Sequence, residues 1–149
     1  MKHEKFMNAS IKEAKKALRE GEVPVGAVIV VSNNIISSAF NQSISHADPT
    51  AHAEILAIRK ACKSIGNYRL SSASIYTTLE PCAMCYGAIV HARISNLVFG
   101  AYDSKTGVCG SSFNLHEKEF FNHTPKIIGG VLEKDCSTML KDFFKGRRN

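Results

Sequence analysis

Three segments decide the fold: Ala51-His52-Ala53-Glu54-Ile55-Leu56-Ala57-Ile58, then Ser74-Ile75-Tyr76-Thr77-Thr78-Leu79, then Glu80-Pro81-Cys82-Ala83-Met84-Cys85. In the first, Ile55, Leu56, Ile58 and Ala61 recur at helical spacing, predicting a helix that starts near Ala51 and stops at Gly66. Ser74 to Leu79 reads as a strand. Pro81 suits the first turn of a second helix, which carries Cys82, Cys85, Ala88 and Ile89. Helix, strand and helix in succession imply a layered α/β domain.

Upstream, Phe6, Met7, Ile11, Ala14 and Leu18 mark an amphipathic opening helix, and Gly21 ends it. The apolar runs Val25–Val31 and Ile35–Phe40 flank Asn33-Asn34, residues that tolerate left-handed turns, so a β-hairpin is expected, followed by a loop over residues 41–50. Downstream, residues 97–101 and 126–132 read as strands and residues 134–145 as a final helix. A sheet that opens on a hairpin and then alternates with helices must be mixed. The 149 residues, 44% of them hydrophobic, suffice for one core, and a single domain over 1–149 is expected.

No stretch approaches the roughly 20 apolar residues of a membrane span. The start, Met1-Lys2-His3-Glu4-Lys5, leads into a polar helix rather than a signal segment, so the expected compartment is the cytoplasm. Five cysteines with one tight pair indicate metal ligation plus free thiols, not a disulfide framework, and Cys62, Cys109 and Cys136 read as packing residues. Net charge is +6, from 19 Lys and Arg against 13 Asp and Glu, partly clustered at Lys141, Lys145, Arg147 and Arg148. A polyanionic partner fits that excess; a basic surface that only aids solubility is the plainer reading.

His52, Cys82 and Cys85 form a donor set suited to zinc, and three protein ligands leave a fourth tetrahedral position for water, as in a catalytic site. Zinc lowers the pKa of its water towards ~7, so the spare carboxylate of Glu54 can take that proton and pass it to a leaving amine. The chemistry expected is hydrolytic deamination. A lone Cys-x-x-Cys would read as a redox pair, and a lone His-x-Glu as two surface residues of a helix; their combination is far more specific. Cys82 and Cys85, three apart, share a helix face. His52 and Glu54, two apart, would diverge in mid-helix, so both must lie in the first turn. Both motifs then open helices, whose positive ends favour thiolates.

The chain resembles the bacterial tRNA-specific adenosine deaminase family, within the cytidine deaminase superfamily, over nearly its whole length. The resemblance rests on Glu22-Val23-Pro24-Val25-Gly26-Ala27-Val28, Asn41, the block Asp48 to Ile55, Asn67-Tyr68-Arg69-Leu70, Leu79-Glu80-Pro81-Cys82, and Gly100-Ala101 with Asp103-Ser104-Lys105-Thr106-Gly107. His-x-Glu followed by Pro-Cys-x-x-Cys is the known signature of zinc nucleobase deaminases. The resemblance implies a three-layer α/β/α fold around a five-stranded mixed sheet, a homodimer, and conversion of the wobble adenosine of a tRNA anticodon loop to inosine. It also implies that His52, Cys82 and Cys85 hold zinc, that Glu54 is the general acid and base, and that Asn41 meets the flipped nucleoside. Asp103 and Lys105 fall in a segment similar to the family's anticodon-contacting loop, where they suit a ribose hydroxyl and a phosphate. The backbone amide of Ala53 suits a purine edge.

Plainer readings stand beside these: Asn41 as a turn residue, Asp103 and Lys105 as a solvated loop, His91 as a helix-end cap, and Phe143-Phe144 as core. The tail from Lys145 to Arg148 is a candidate for backbone contact with RNA. Tyr86 and Cys109 depart from the family pattern, where small residues are expected. Two alternatives remain: the same chemistry on a free base or nucleoside such as guanine or cytosine, and a zinc-stabilised nucleic-acid-binding module without turnover, which needs a fourth ligand such as Cys109.

Overall fold

Apolar side chains at consecutive positions, rather than alternate ones, shape the sheet. In the computed structural model, which describes residues 2–119 and 121–147, strands β1 (Gly26–Val31), β3 (Ser74–Leu79) and β4 (Asn96–Ala101) are buried at nearly every residue. A strand buried on both sides needs a helix layer on each face. Those layers are α1 (Lys2–Arg19), α2 (Ala53–Ile65), α3 (Ala83–His91) and α4 (Glu133–Arg147). With β2 (Asn34–Phe40) and β5 (Lys126–Ile128), the sheet order is β2-β1-β3-β4-β5. β1 runs antiparallel to β2 and β3, while β3, β4 and β5 run parallel. The expected five-stranded mixed sheet with its layered α/β order is therefore observed.

Ser10 Oγ donates to the Tyr76 carbonyl at 2.7 Å, pinning α1 to β3. α2 lies along β1 and β2 and touches α3, and α4 covers β4 and β3. Cys136 on α4 packs over Gly100, where a Cβ would come within 2.4 Å of its sulfur. No disulfide forms among the described residues: Cys109 and Cys136 are buried and Cys62 is half-buried, as packing residues would be. Among the described residues no helix is long and apolar enough to cross a membrane.

Several boundaries differ from the sequence reading. The hairpin turn is Ser32-Asn33, with φ of 50° and 64°, so β2 starts at Asn34, one residue early. The strand expected over residues 126–132 stops at Ile128, because Gly130 and Leu132 take left-handed conformations that swing the chain into α4. α2 begins at Ala53 and α3 at Ala83, leaving His52 and Cys82 as N-caps and Pro81 ahead of the helix rather than in its first turn. Phe144 is 47% exposed, and its partner Phe143 is half-buried, so the pair is not core. Only Cys136 and Leu140 of α4 are fully packed, and the last turn runs past them. Arg148 lies outside the described residues.

Gly26 lets α1 approach β1 closely: a Cβ there would sit 2.1 Å from the Ser10 carbonyl oxygen and 2.5 Å from the Ala14 nitrogen. These are backbone atoms of a packed helix and cannot step aside singly. Gly26→Ala is expected to lower unfolding free energy by about 2 kcal/mol or more, read from urea denaturation.

Candidate active site

His52 has φ −73° and ψ 154°, and Cys82 has φ −79° and ψ 175°; both are extended residues that cap helices without a side-chain bond to the helix they open. A capping serine or aspartate would turn its oxygen back onto the first-turn amides. Here the imidazole and the thiol turn outward and face each other. Because His52 is an N-cap rather than a helical residue, the helical spacing rule does not apply to His52 and Glu54, and both reach one site.

His52 Nδ1 lies 3.5 Å from Cys85 Sγ and 3.8 Å from Cys82 Sγ, and the three ligand atoms all lie within 4.8 Å of one another. A tetrahedral zinc with Zn–S of ~2.3 Å and Zn–N of ~2.0–2.1 Å would hold its nitrogen and sulfur donors about 3.6 Å apart. The donor set and its spacing thus fit zinc. Among the described residues no other histidine, cysteine or carboxylate joins the group, Cys109 included. A purely structural zinc site takes four protein ligands, and three are brought together here.

The hydrogen bond from Cys85, and further bonding and charge from His52, pull Cys82 down to about 4. Cys85 is pushed strongly upward, first by its hydrogen bond to Cys82, then by burial and the nearby Glu54. A thiol ligates zinc as the thiolate, so binding here would release protons and weaken as pH falls. The hydrogen bond to Cys82 raises His52. Glu54, 4% exposed, is pushed up by burial to about 7, where a carboxyl can both take and give a proton near neutrality.

His52, Glu54 and Cys82 form one end of a cavity of about 270 Å³, walled also by Val23, Asn41 and Asp103. Asn41 spends its amide on the wall itself: Nδ2 donates to the Val23 carbonyl at 3.3 Å, and Oδ1 accepts from Ser43 Oγ at 3.0 Å. Asn41 thus ties the end of β2 to its neighbours, as a turn residue does, and also lines the cavity. Ala53 lines the cavity, whereas Cys85 lies fully buried behind it. The Asp103 carboxylate accepts from the Lys105 and Thr106 amides at 3.1 and 3.2 Å, and from the Thr106 hydroxyl at 2.7 Å. Lys105 is exposed on that loop and is not part of the cavity wall. Tyr86 and Cys109 are both buried outside the cavity, where burial and then Cys109 push the Tyr86 phenol up to about 12.

Sequence reading assigned nothing to two buried cavity residues, Glu22 and Glu80, each 1% exposed. The signal available was, for Glu80, a carboxylate between Leu79 and Pro81-Cys82; Glu22, which follows Arg19-Glu20-Gly21, carried none. Glu22 accepts from the Ile44 and Ser45 amides at 3.0 and 2.8 Å, fixing the loop after β2. Burial pushes its pKa up, but the Ser45 and Ile44 bonds outweigh burial and hold it below the ordinary value.

Residues 1–101 match the zinc-binding region of the cytidine and deoxycytidylate deaminases. The chain belongs to this deaminase family. Within it, the tRNA-specific adenosine deaminase of Bacillus subtilis (strain 168) is 48% identical over 145 residues, 97% of this chain and 90% of that protein. The tRNA-specific adenosine deaminase of Haemophilus influenzae (strain ATCC 51907 / DSM 11121 / KW20 / Rd) is 51% identical over 146 residues, 97% of this chain and 84% of that protein. A solved structure from studies of A-to-I editing by tRNA:A34 deaminases at the wobble position matches with a TM-score of 0.89 and 40% identity, covering 91% of this chain and 98% of its own. The layered sheet and the three-ligand cluster are thus those of a zinc-dependent deaminase.

Replacing Cys85 by Ser is expected to strip the protein of zinc, seen as a fall from about one atom per chain in elemental analysis. Because the folded pKa of Glu22 is depressed, its stabilisation is full above the unfolded carboxylate range and is lost as pH falls through the folded value. Glu22→Gln should therefore be less stable than the parent at neutral pH, with the gap closing on acidification, followed by denaturation at a series of pH values.

Proposed function

We propose that the protein converts the wobble adenosine of a tRNA anticodon loop to inosine by zinc-dependent hydrolytic deamination. The observation that carries this reading is the buried Glu54 carboxyl beside the His52, Cys82 and Cys85 cluster at the end of a cavity sized for a single nucleotide. The 48% and 51% identity to tRNA-specific adenosine deaminases supports the choice of substrate over a free base.

His52, Cys82 and Cys85 would hold the zinc. When bound, zinc supplies a Lewis acid that makes water acidic enough to be a nucleophile near neutral pH. Glu54 takes one proton of the attacking water at its buried carboxyl and gives it to the adenine ring, then takes the second from the hydroxyl left on the ring carbon and gives it to the amine, which leaves as ammonia; its position near 7 suits both directions. Asn41 and the Ala53 amide orient the flipped base, Asp103 meets a ribose hydroxyl, and the exposed Lys105 meets phosphate. A base in a single-stranded loop can be turned out for a few kcal/mol or less, which suits a small enzyme with a narrow cavity.

The basic end of α4 supports an RNA contact there. Arg147 lies over the Phe143 ring at 4.9 Å and donates to the Gly21 carbonyl, one residue ahead of the cavity residues Glu22 and Val23. The whole chain acts as one domain in this reading, and a tRNA substrate accords with a cytoplasmic enzyme. A second copy packs on the outer face of α3, where Met84 is 37% exposed, Gly87 meets nothing within 4 Å, and Ala88 is half-buried. Such a face admits close approach of another helix.

Incubation with a tRNA bearing a wobble adenosine, alongside free adenosine, cytidine and guanine, is expected to yield inosine in the tRNA alone by mass spectrometry. Glu54→Ala should reduce that turnover by about 10²-fold or more while zinc content stays unchanged. Retained turnover would remove Glu54 from its role.

A further inference from the structure

Glu80 is a buried carboxylate with no cation beside it. It follows β3 and stands two residues ahead of Cys82, is 1% exposed, and forms no ion pair among the described residues. Such a charge must be satisfied by hydrogen bonds or its burial is unaffordable. Oε1 accepts the Asp103 amide at 2.9 Å and the Ser111 hydroxyl. Oε2 accepts the Cys109 amide at 2.8 Å and the Ser111 amide at 3.1 Å.

These donors span the loop from Asp103 to Ser111, so the loop is wrapped around a single carboxylate. Gly107 closes the wrap: its amide donates to the Asp103 carbonyl at 2.9 Å, and a Cβ on it would lie 2.4 Å from the carboxyl carbon of Glu80. The Val108 amide adds a bond to the Pro81 carbonyl at 3.1 Å. The turn that presents Cys82 and the loop that presents Asp103 and Thr106 to the cavity are thereby one bonded unit.

We propose that Glu80 is a positioning residue that couples the zinc-ligand turn to the substrate-contacting loop, and that it governs capture of the RNA loop rather than the chemical step. The inference rests on the deaminase reading above. It follows from where the bonds go: Glu54 and His52 hang from α2, outside the unit, whereas Asp103 and Thr106 depend on Glu80 for their place. Neutral Gln in place of Glu80 keeps the volume but turns one acceptor into a donor facing an amide or hydroxyl, which must push part of the loop away.

The test measures kcat and KM of Glu80→Gln for a wobble-adenosine anticodon stem-loop, with zinc content and thermal stability recorded in parallel. The expected result is a KM raised by about tenfold or more, a kcat changed by less than about threefold, and full zinc occupancy. Ser111→Ala, which deletes the hydroxyl donor alone, should raise KM in the same direction by a smaller factor, and it carries the test if Glu80→Gln does not fold. An unchanged KM, or a loss confined to kcat, would overturn the proposal in either variant. If the parent protein makes no inosine in any tRNA, it is the deaminase reading that fails; a parent that works beside variants of unaltered KM sinks only the role of Glu80.

Discussion

Three ligand atoms from two remote segments must meet within the reach of one metal ion, and that requirement governs the geometry around the cavity. His52 and Cys82 meet it as extended N-caps, each at the point where a loop or strand ends and a helix begins. Their side chains are free to face each other because neither is committed to its own helix, and the facing helix starts place positive dipole ends near the thiolate. Cys85, one turn further on, completes the set from inside α3. The double burial of β1, β3 and β4 keeps α2 and α3 in place, so the site stands on rigid elements.

Around that rigid floor the walls are irregular loops, and each is held by a buried glutamate. Glu22 gathers the amides of Ile44 and Ser45, and Glu80 those of Asp103, Cys109 and Ser111. A carboxylate with four lone-pair sites can organise several amides that have no strand to pair with. Two loops thereby acquire fixed shapes without contributing to the sheet, and cavity-lining groups such as Asn41 and Asp103 inherit their positions from them.

The elements with strong periodicity were legible before folding was considered: the opening helix, the hairpin, the helix through Ile55 to Ala61, and the strand Ser74–Leu79 all stand where their patterns placed them. Misreadings cluster where backbone conformation rather than side-chain pattern decides. Ser32 adopts a left-handed turn that Asn34 was expected to take, and Leu132 adopts one that ends a strand early. Phe143 and Phe144 looked like core but extend past the packed part of α4.

The candidate ligand set, the carboxylate beside it and the layered α/β order were determined by the sequence alone, because residue type dictates coordination chemistry and periodicity dictates which elements form. Only the tertiary structure decided that His52 caps its helix and so shares a site with Glu54, that burial brings Glu54 to about 7, and that Asp103 answers to Glu80 while Lys105 stays outside the wall. Burial and long-range hydrogen bonds are properties of segments brought together by folding. A lone glutamate in an apolar run carries no mark of the loop it will hold.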